Sequence, residues 1–131
     1  MLYEKTTRGP VLDVCRRLEA AATENGFGVL GLHDLAAKMR EKGIDFPRQC
    51  CVLEVCNAQQ ARRVLEDHMQ IATVLPCRIA VYEDDDKVTV STLRPRGLLQ
   101  MFGYAELQPV AREVEDTLIR IIDTACANQG D

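Results

Sequence analysis

The segment CRIAVYEDDDKVTVSTL, Cys77–Leu93, decides the fold class. Two runs rich in β-branched and apolar residues flank the acidic turn Asp84–Asp86, and this pattern predicts a β-hairpin. A hairpin joins antiparallel strands, so it argues against an all-parallel sheet. The rest of the chain therefore has to be arranged around an antiparallel pair.

Outward from the hairpin, strand patterns alternate with helical ones. Further strands are predicted at Leu2–Thr7, Phe27–Leu32 and Cys50–Cys56. Helices are predicted to start at Val11, near His33 and after Asn57, with a final helix over 106–127 and a short helix or ordered loop over 94–104. The order β-α-β-α-β-α-β-β-α predicts one α+β domain over residues 1–131, a two-layer sandwich with a mostly antiparallel sheet backed by helices.

Composition excludes several classes of protein. The chain has 131 residues, a net charge of −4, 5% aromatic residues and no tryptophan, so a nucleic-acid-binding surface is not expected. No apolar run reaches the length of about 18 residues that a membrane-spanning helix needs. The first ten residues, MLYEKTTRGP, lack the apolar core of a signal peptide, which predicts a cytoplasmic protein.

The stretch GFGVLG, Gly26–Gly31, matches the dinucleotide-binding pattern G-x-G-x-x-G letter for letter. That pattern needs a strand before it and a helix opening within it, so that the helix N-terminus meets the pyrophosphate. Here a predicted helix precedes the glycines and a predicted strand follows them. We therefore interpret the glycines as a helix stop and a site of close strand packing.

Six cysteines are many for a chain of this size, and in a reducing compartment they are not expected to form structural disulfides. Strand alternation divides the segment CCVLEVC into two faces. One face carries Cys51, Leu53 and Val55 and is predicted to join the core; the other carries Cys50, Val52, Glu54 and Cys56 and is expected to be wetter.

Two of the three cysteines outside this region lie in predicted helices. Cys15 lies on the apolar stripe of the first helix and is predicted to be buried, where a free thiol behaves as a small apolar side chain. Cys126 lies in the last turns of the final helix and is expected to be exposed and without a role.

Cys56 has the most suggestive position, because it ends a strand and directly precedes Asn57, the predicted N-cap of the next helix. The positive end of a helix favours a thiolate, so a depressed thiol pKa is one expectation. A buried strand-end cysteine of ordinary chemistry is the alternative. Cys77 follows Pro76 at the start of the next strand, and the two thiols would meet if these strands are neighbours.

Two thiols at one end of a sheet suit a soft metal ion such as Cu(I), or a reversible disulfide. A structural zinc site is less expected, because the chain has no C-x-x-C pair. His33 and His68 are predicted to lie on the surface near helix ends. His68 is the one plausible base for a catalytic cysteine.

The sequence resembles a bacterial and archaeal family known as domain of unknown function 302. The resemblance covers nearly the whole chain and rests on GFGVL (Gly26–Leu30), DFPRQCCVLEVCN (Asp45–Asn57), LPCRIAVYE (Leu75–Glu83) and the closing amphipathic helix. It differs at Ala58, where the family usually has proline. The resemblance implies a compact α+β fold that tends to form homodimers, and it implies no established reaction.

The first functional hypothesis is a non-enzymatic binding domain. Cys56 and Cys77 would hold a soft metal ion, copper or zinc, or a thiol-reactive small ligand, with Asn57 stabilising the thiolate; Cys50, Glu54 and His68 are weaker candidates. A thiol-redox or sulfur-handling protein is the second hypothesis, in which Cys56 attacks and Cys77 resolves the mixed disulfide. A homodimeric interaction module with cysteines as packing is the third.

Overall fold

Five antiparallel strands form one sheet, in the order β1-β5-β4-β3-β2, in the computed structural model, which describes residues 1–127. The strands are β1 (Leu2–Thr7), β2 (Gly28–Asp34), β3 (Cys50–Cys56), β4 (Cys77–Asp84) and β5 (Lys87–Leu93). The helices are α1 (Val11–Glu24), α2 (Leu35–Glu41), α3 (Ala58–Leu65), α4 (Pro95–Gln100) and α5 (Gln108–Ala127). The α+β class and the order of the elements are confirmed. The last four residues of the predicted domain, 128–131, lie outside the described residues.

The predicted hairpin is the β4–β5 pair, in which Asp84 lies opposite Lys87. Asp85 takes the left-handed conformation at φ 59°, which a short-side-chained aspartate tolerates in a tight turn. Strand β2 runs two residues further than predicted, so that His33 and Asp34 belong to the sheet. Asp34 then begins α2 as its N-cap and accepts a hydrogen bond from the Ala37 N–H at 2.9 Å.

The main core lies between the sheet and helices α1 and α5. Its fully buried members include Val14, Leu18, Leu53, Ile79, Val81, Val90, Ile121 and Ile122. Cys15 and Cys51 belong to this cluster, as predicted. Alternation along β3 is strict, with Cys51, Leu53 and Val55 buried and the residues between them half-buried.

Cys126 corrects the sequence expectation, because it is 8% exposed and packs in the main core. The end of α5 is tied to the start of the chain by two hydrogen bonds to its carbonyls. Arg17 Nε donates to the Ala125 carbonyl at 2.9 Å and Thr7 Oγ1 donates to the Cys126 carbonyl at 3.4 Å. These contacts hold the last turn of the helix against β1 and α1, so its thiol is covered.

A smaller apolar cluster lies beside the main core. Its buried members are Val64, Ile71, Leu99, Leu107, Val110 and Ala111. They come from α3, the 3₁₀ turns Met69–Val74 and Ala105–Leu107, α4 and the first part of α5. No helix within residues 1–127 combines the length and the apolar character needed to cross a bilayer. The smaller cluster brings α3 and α4 together near the start of β4, where the candidate site lies.

Candidate functional site

Strands β3 and β4 are neighbours, and their register brings Cys56 and Cys77 to the same end of the sheet. Val55 pairs with Cys77, so Cys56 lies one residue beyond that pair. Cys77 shares the core-facing side of the sheet with Val55, and alternation turns Cys56 to the other side. Because both residues stand at the strand end, where the sheet stops, the two side chains reach the wall of one cavity.

The cavity offers a volume of about 50 Å³ to the centres of water-sized atoms. That is room for a few water molecules or a small ligand, since one water needs about 10–15 Å³ by this measure. Its apolar wall is formed by Phe27, Ala61, Val64, Ile71, Val74, Leu75, Leu98, Leu99, Val110, Ala111 and Val114. Its remaining wall is formed by Cys56, Asn57, Gln60 and Cys77. The site therefore combines a predominantly apolar surface with two thiols.

Both thiols hold their protons more tightly than a thiol in water does. Burial, together with a smaller contribution from the nearby Cys56, raises the pKa of Cys77 to about 11. Burial also raises the pKa of Cys56. The expectation of a depressed pKa for Cys56 at the helix start is therefore wrong, because desolvation of the thiolate dominates there. Both cysteines are neutral thiols at neutral pH.

Asn57 begins α3 as predicted. Its Oδ1 accepts a hydrogen bond from the Gln60 N–H at 3.0 Å, and its Nδ2 donates to the Gly26 carbonyl at 3.1 Å. Gly26 closes the turn after α1 with φ 79°, which agrees with its interpretation as a helix stop. Both polar atoms of Asn57 thus have structural partners. The residue shapes the cavity wall by joining two turns, and its amide is engaged away from the thiols.

Cys50 and Glu54, two of the weaker candidates, lie away from the cavity. Cys50 pairs with Tyr82 at the opposite end of β3, and burial raises its pKa. Glu54 lies 3.0 Å from His33 Nε2 and 3.7 Å from Arg78 Nε, across the strands that flank β3. These contacts are cross-strand pairs that stabilise the sheet.

His68, the third weaker candidate, is not on the surface as predicted, since its side chain is only 15% exposed. Its ring stacks on Tyr104 at 3.7 Å between centroids, and its Nε2 lies 2.8 Å from Glu106. Tyr104 packs against the smaller apolar cluster. His68 is absent from the cavity wall, so the structure gives it no position from which to act as a base for Cys56.

Gln60, three residues after the predicted N-cap Asn57, is a cavity residue that the sequence analysis did not propose as part of a site. Its backbone N–H donates to Asn57 Oδ1, and the residue belongs to the cavity wall. The only sequence signal for this cavity position is that Gln60 follows Cys56 by four residues. That spacing brings two side chains together only where the chain between them is helical. Within residues 1–127 no group of three or more His, Cys, Asp or Glu side chains is placed to hold a metal ion.

Comparison with known proteins gives a family and a fold. A family model described as "Domain of unknown function DUF302" matches residues 3–125. An uncharacterized protein of Aquifex aeolicus (strain VF5) is 29% identical over 116 residues, which cover 87% of this chain and 74% of the relative. The crystal structure of an uncharacterized conserved DUF302 protein from Bacillus stearothermophilus superimposes with a TM-score of 0.89 at 31% identity, covering 95% of this chain and 97% of the other.

Proposed function

We propose, from the premise that the chain belongs to the family of domain of unknown function DUF302, that it is a non-enzymatic binding domain for a small ligand. The ligand would lie in the cavity at the end of β3 and β4, against the thiols of Cys56 and Cys77. One observation carries the proposal: these two cysteines, 21 positions apart, line the same apolar cavity.

The protonation of the thiols indicates the kind of ligand. A neutral thiol is a small, polarizable and weakly polar group, so the cavity suits a ligand with a soft or apolar body. With a pKa of about 11, only about one Cys77 side chain in ten thousand is a thiolate at pH 7. Rapid nucleophilic attack needs a thiolate, which weighs against the thiol-redox alternative.

Native mass spectrometry of protein purified without oxygen or chelator tests this proposal. We expect the wild type to carry one additional mass per chain and the Cys56→Ser/Cys77→Ser variant to lose it. Cys50→Ser is the matched control, because it changes a half-buried cysteine of the same strand that lies off the cavity. A wild type with only the polypeptide mass, or an added mass that survives in the double variant, overturns the proposal. The same spectra count the chains and so test the expected homodimer.

A Cu(I) ion is the second candidate for the ligand. Soft sulfur ligands select Cu(I), and the two sulfurs on one cavity wall favour it over zinc, which takes four ligands in structural sites. Metal binding displaces the thiol protons, so affinity should fall as pH is lowered. Titration of Cu(I) against the chelator bathocuproine disulfonate should give one ion per chain, lost in the double variant and kept in Cys50→Ser. Equal copper uptake by all three proteins would exclude this site.

A further inference from the structure

Gln60 leaves one hydrogen-bonding atom unused beside the cavity. Its Oε1 is buried, and no donor among the described residues reaches it. Its side chain belongs to the cavity wall, together with Cys56 and Cys77. A buried acceptor without a partner costs about 1–3 kcal/mol, so a carbonyl in this position calls for an explanation.

A hydrogen bond to Glu113 fixes the orientation of the Gln60 side-chain amide. Its Nε2 donates to Glu113 Oε1 at 3.5 Å, and Arg63 Nη1 donates to the same oxygen at 3.0 Å. The hydrogen bond and the charge of Arg63 lower the pKa of Glu113, so the carboxylate is ionised and can only accept hydrogen bonds. A reversed amide would set two acceptors against each other. The amide N–H₂ therefore faces Glu113, and the oxygen is directed away from it.

We propose that Gln60 Oε1 is the polar recognition point of the cavity and accepts a hydrogen bond from the bound ligand. This inference rests on the proposed function and narrows it, since the ligand must then carry an N–H or O–H donor on an otherwise apolar body. A bare metal ion has no donor and would leave this oxygen unpaired.

Two five-membered rings of nearly the same shape test the inference. Pyrrole has an N–H donor, and furan has an oxygen in its place. Titrated into the protein and followed by ¹H–¹⁵N NMR, pyrrole should bind about tenfold more tightly than furan, with shifts at the cavity residues. In the wild type, the Gln60 side-chain carbonyl ¹³C resonance should move with pyrrole and stay in place with furan. Equal affinities, or a carbonyl resonance that ignores pyrrole, overturn the inference.

Matched variants separate this inference from the proposed function. Gln60→Met keeps the length of the side chain without the acceptor and should reduce the preference for pyrrole to about one. Gln59→Met makes the same exchange at an exposed neighbour and should keep the preference. If both rings bind equally and the Cys56→Ser/Cys77→Ser variant loses both, the cavity proposal stands and the role of Gln60 fails. If neither ring binds the wild type, both proposals fail for small organic ligands.

Discussion

The main core and the smaller cluster are built from the same kinds of apolar residue, yet they contribute unequally to the cavity with the two thiols. The smaller cluster supplies five of its six buried members to the cavity wall, whereas Phe27 is the one buried member of the main core found there. The main core lies between a sheet face and two long helices. Regular surfaces of this kind interdigitate closely in protein interiors. The smaller cluster joins short elements, α3, α4 and two 3₁₀ turns, to the first part of α5 at the end of the sheet. The difference indicates that long regular elements pack without a cavity, whereas short elements at the end of a strand leave room for a ligand.

The strongest test of this difference deletes the same atoms from each region. Ile79 in the main core and Ile71 in the smaller cluster are both fully buried. Ile79→Ala should lower the free energy of unfolding by about 4 kcal/mol, and Ile71→Ala by about 2–3 kcal/mol. Ile71 borders the cavity and has fewer neighbouring atoms to lose on that side. Urea unfolding with unchanged m-values measures both; equal losses would mean that the smaller cluster is packed as tightly as the main core.

The second prediction concerns Glu115, which holds the helix that walls the cavity. Glu115 is 5% exposed and accepts hydrogen bonds from the Arg96 N–H at 3.1 Å and from Arg94 Nη1 at 3.3 Å. It thereby caps the start of α4, and Pro95 occupies the first turn, where its missing N–H costs nothing. Glu115→Ala should lower stability by about 2 kcal/mol, because it removes the charged acceptor of the Arg96 N–H and of Arg94, whose side chain is 38% exposed.

Asp116→Ala changes the exposed acidic neighbour on α5 and is the control for Glu115→Ala. It should change stability by less than about 0.5 kcal/mol in the same urea titration. A loss in Asp116→Ala equal to that in Glu115→Ala would point to the net charge of α5 as the cause, and would remove the capping explanation.

The third prediction uses pH. Because burial raises the pKa of Cys77 from 9.0 to about 11, the folded state keeps a proton that the unfolded state loses between these values. This proton contributes to the free energy of unfolding. The contribution is fully present below pH 9 and falls by about 2 kcal/mol as the pH rises toward 11. The difference in unfolding free energy between wild type and Cys77→Ala should therefore shrink over this interval. Other alkaline groups titrate in both proteins and cancel; a difference that stays constant with pH would show that the Cys77 thiol is well hydrated.

The main core could be predicted from the sequence, because the patterns that mark buried residues are local in the chain. Period-two and helical stripes mark which residues face inward, and the hairpin at Asp84–Asp86 fixes the antiparallel class. Cys15 and Cys51 were placed correctly for this reason. Cys126 was not, since its burial depends on Arg17 and Thr7, which lie more than 100 positions away in the chain.

The sequence predicted the cavity only in part, because the cavity is formed by the pairing of strands that are distant in the chain. The sequence identified Cys56 and Cys77 as candidates, but only the β3–β4 register brings them to one wall. The local signal at Cys56 was a helix start, which favours a thiolate, while the burial that outweighs it comes from elements distant in sequence. Gln60 gave only its spacing from Cys56 as a signal and Glu115 gave none, since each acts through a partner on another element.

The smallest predicted effect concerns Asn57, and it tests whether this residue is only a helix cap or also contacts the ligand. Asn57→Ala should cost about 1 kcal/mol through loss of the cap, and Asn57→Ser should cost less because its hydroxyl still accepts the Gln60 N–H. Gln59→Ala, at an exposed position in the first turn of α3, should change stability by only a few tenths of a kcal/mol. If Asn57→Ser keeps both stability and pyrrole binding, the residue acts as a cap alone. If it keeps stability and loses binding, the Asn57 amide contacts the ligand. The recognition surface then includes Asn57, one helical turn before Gln60, and Asn57 is more than a structural part of the wall.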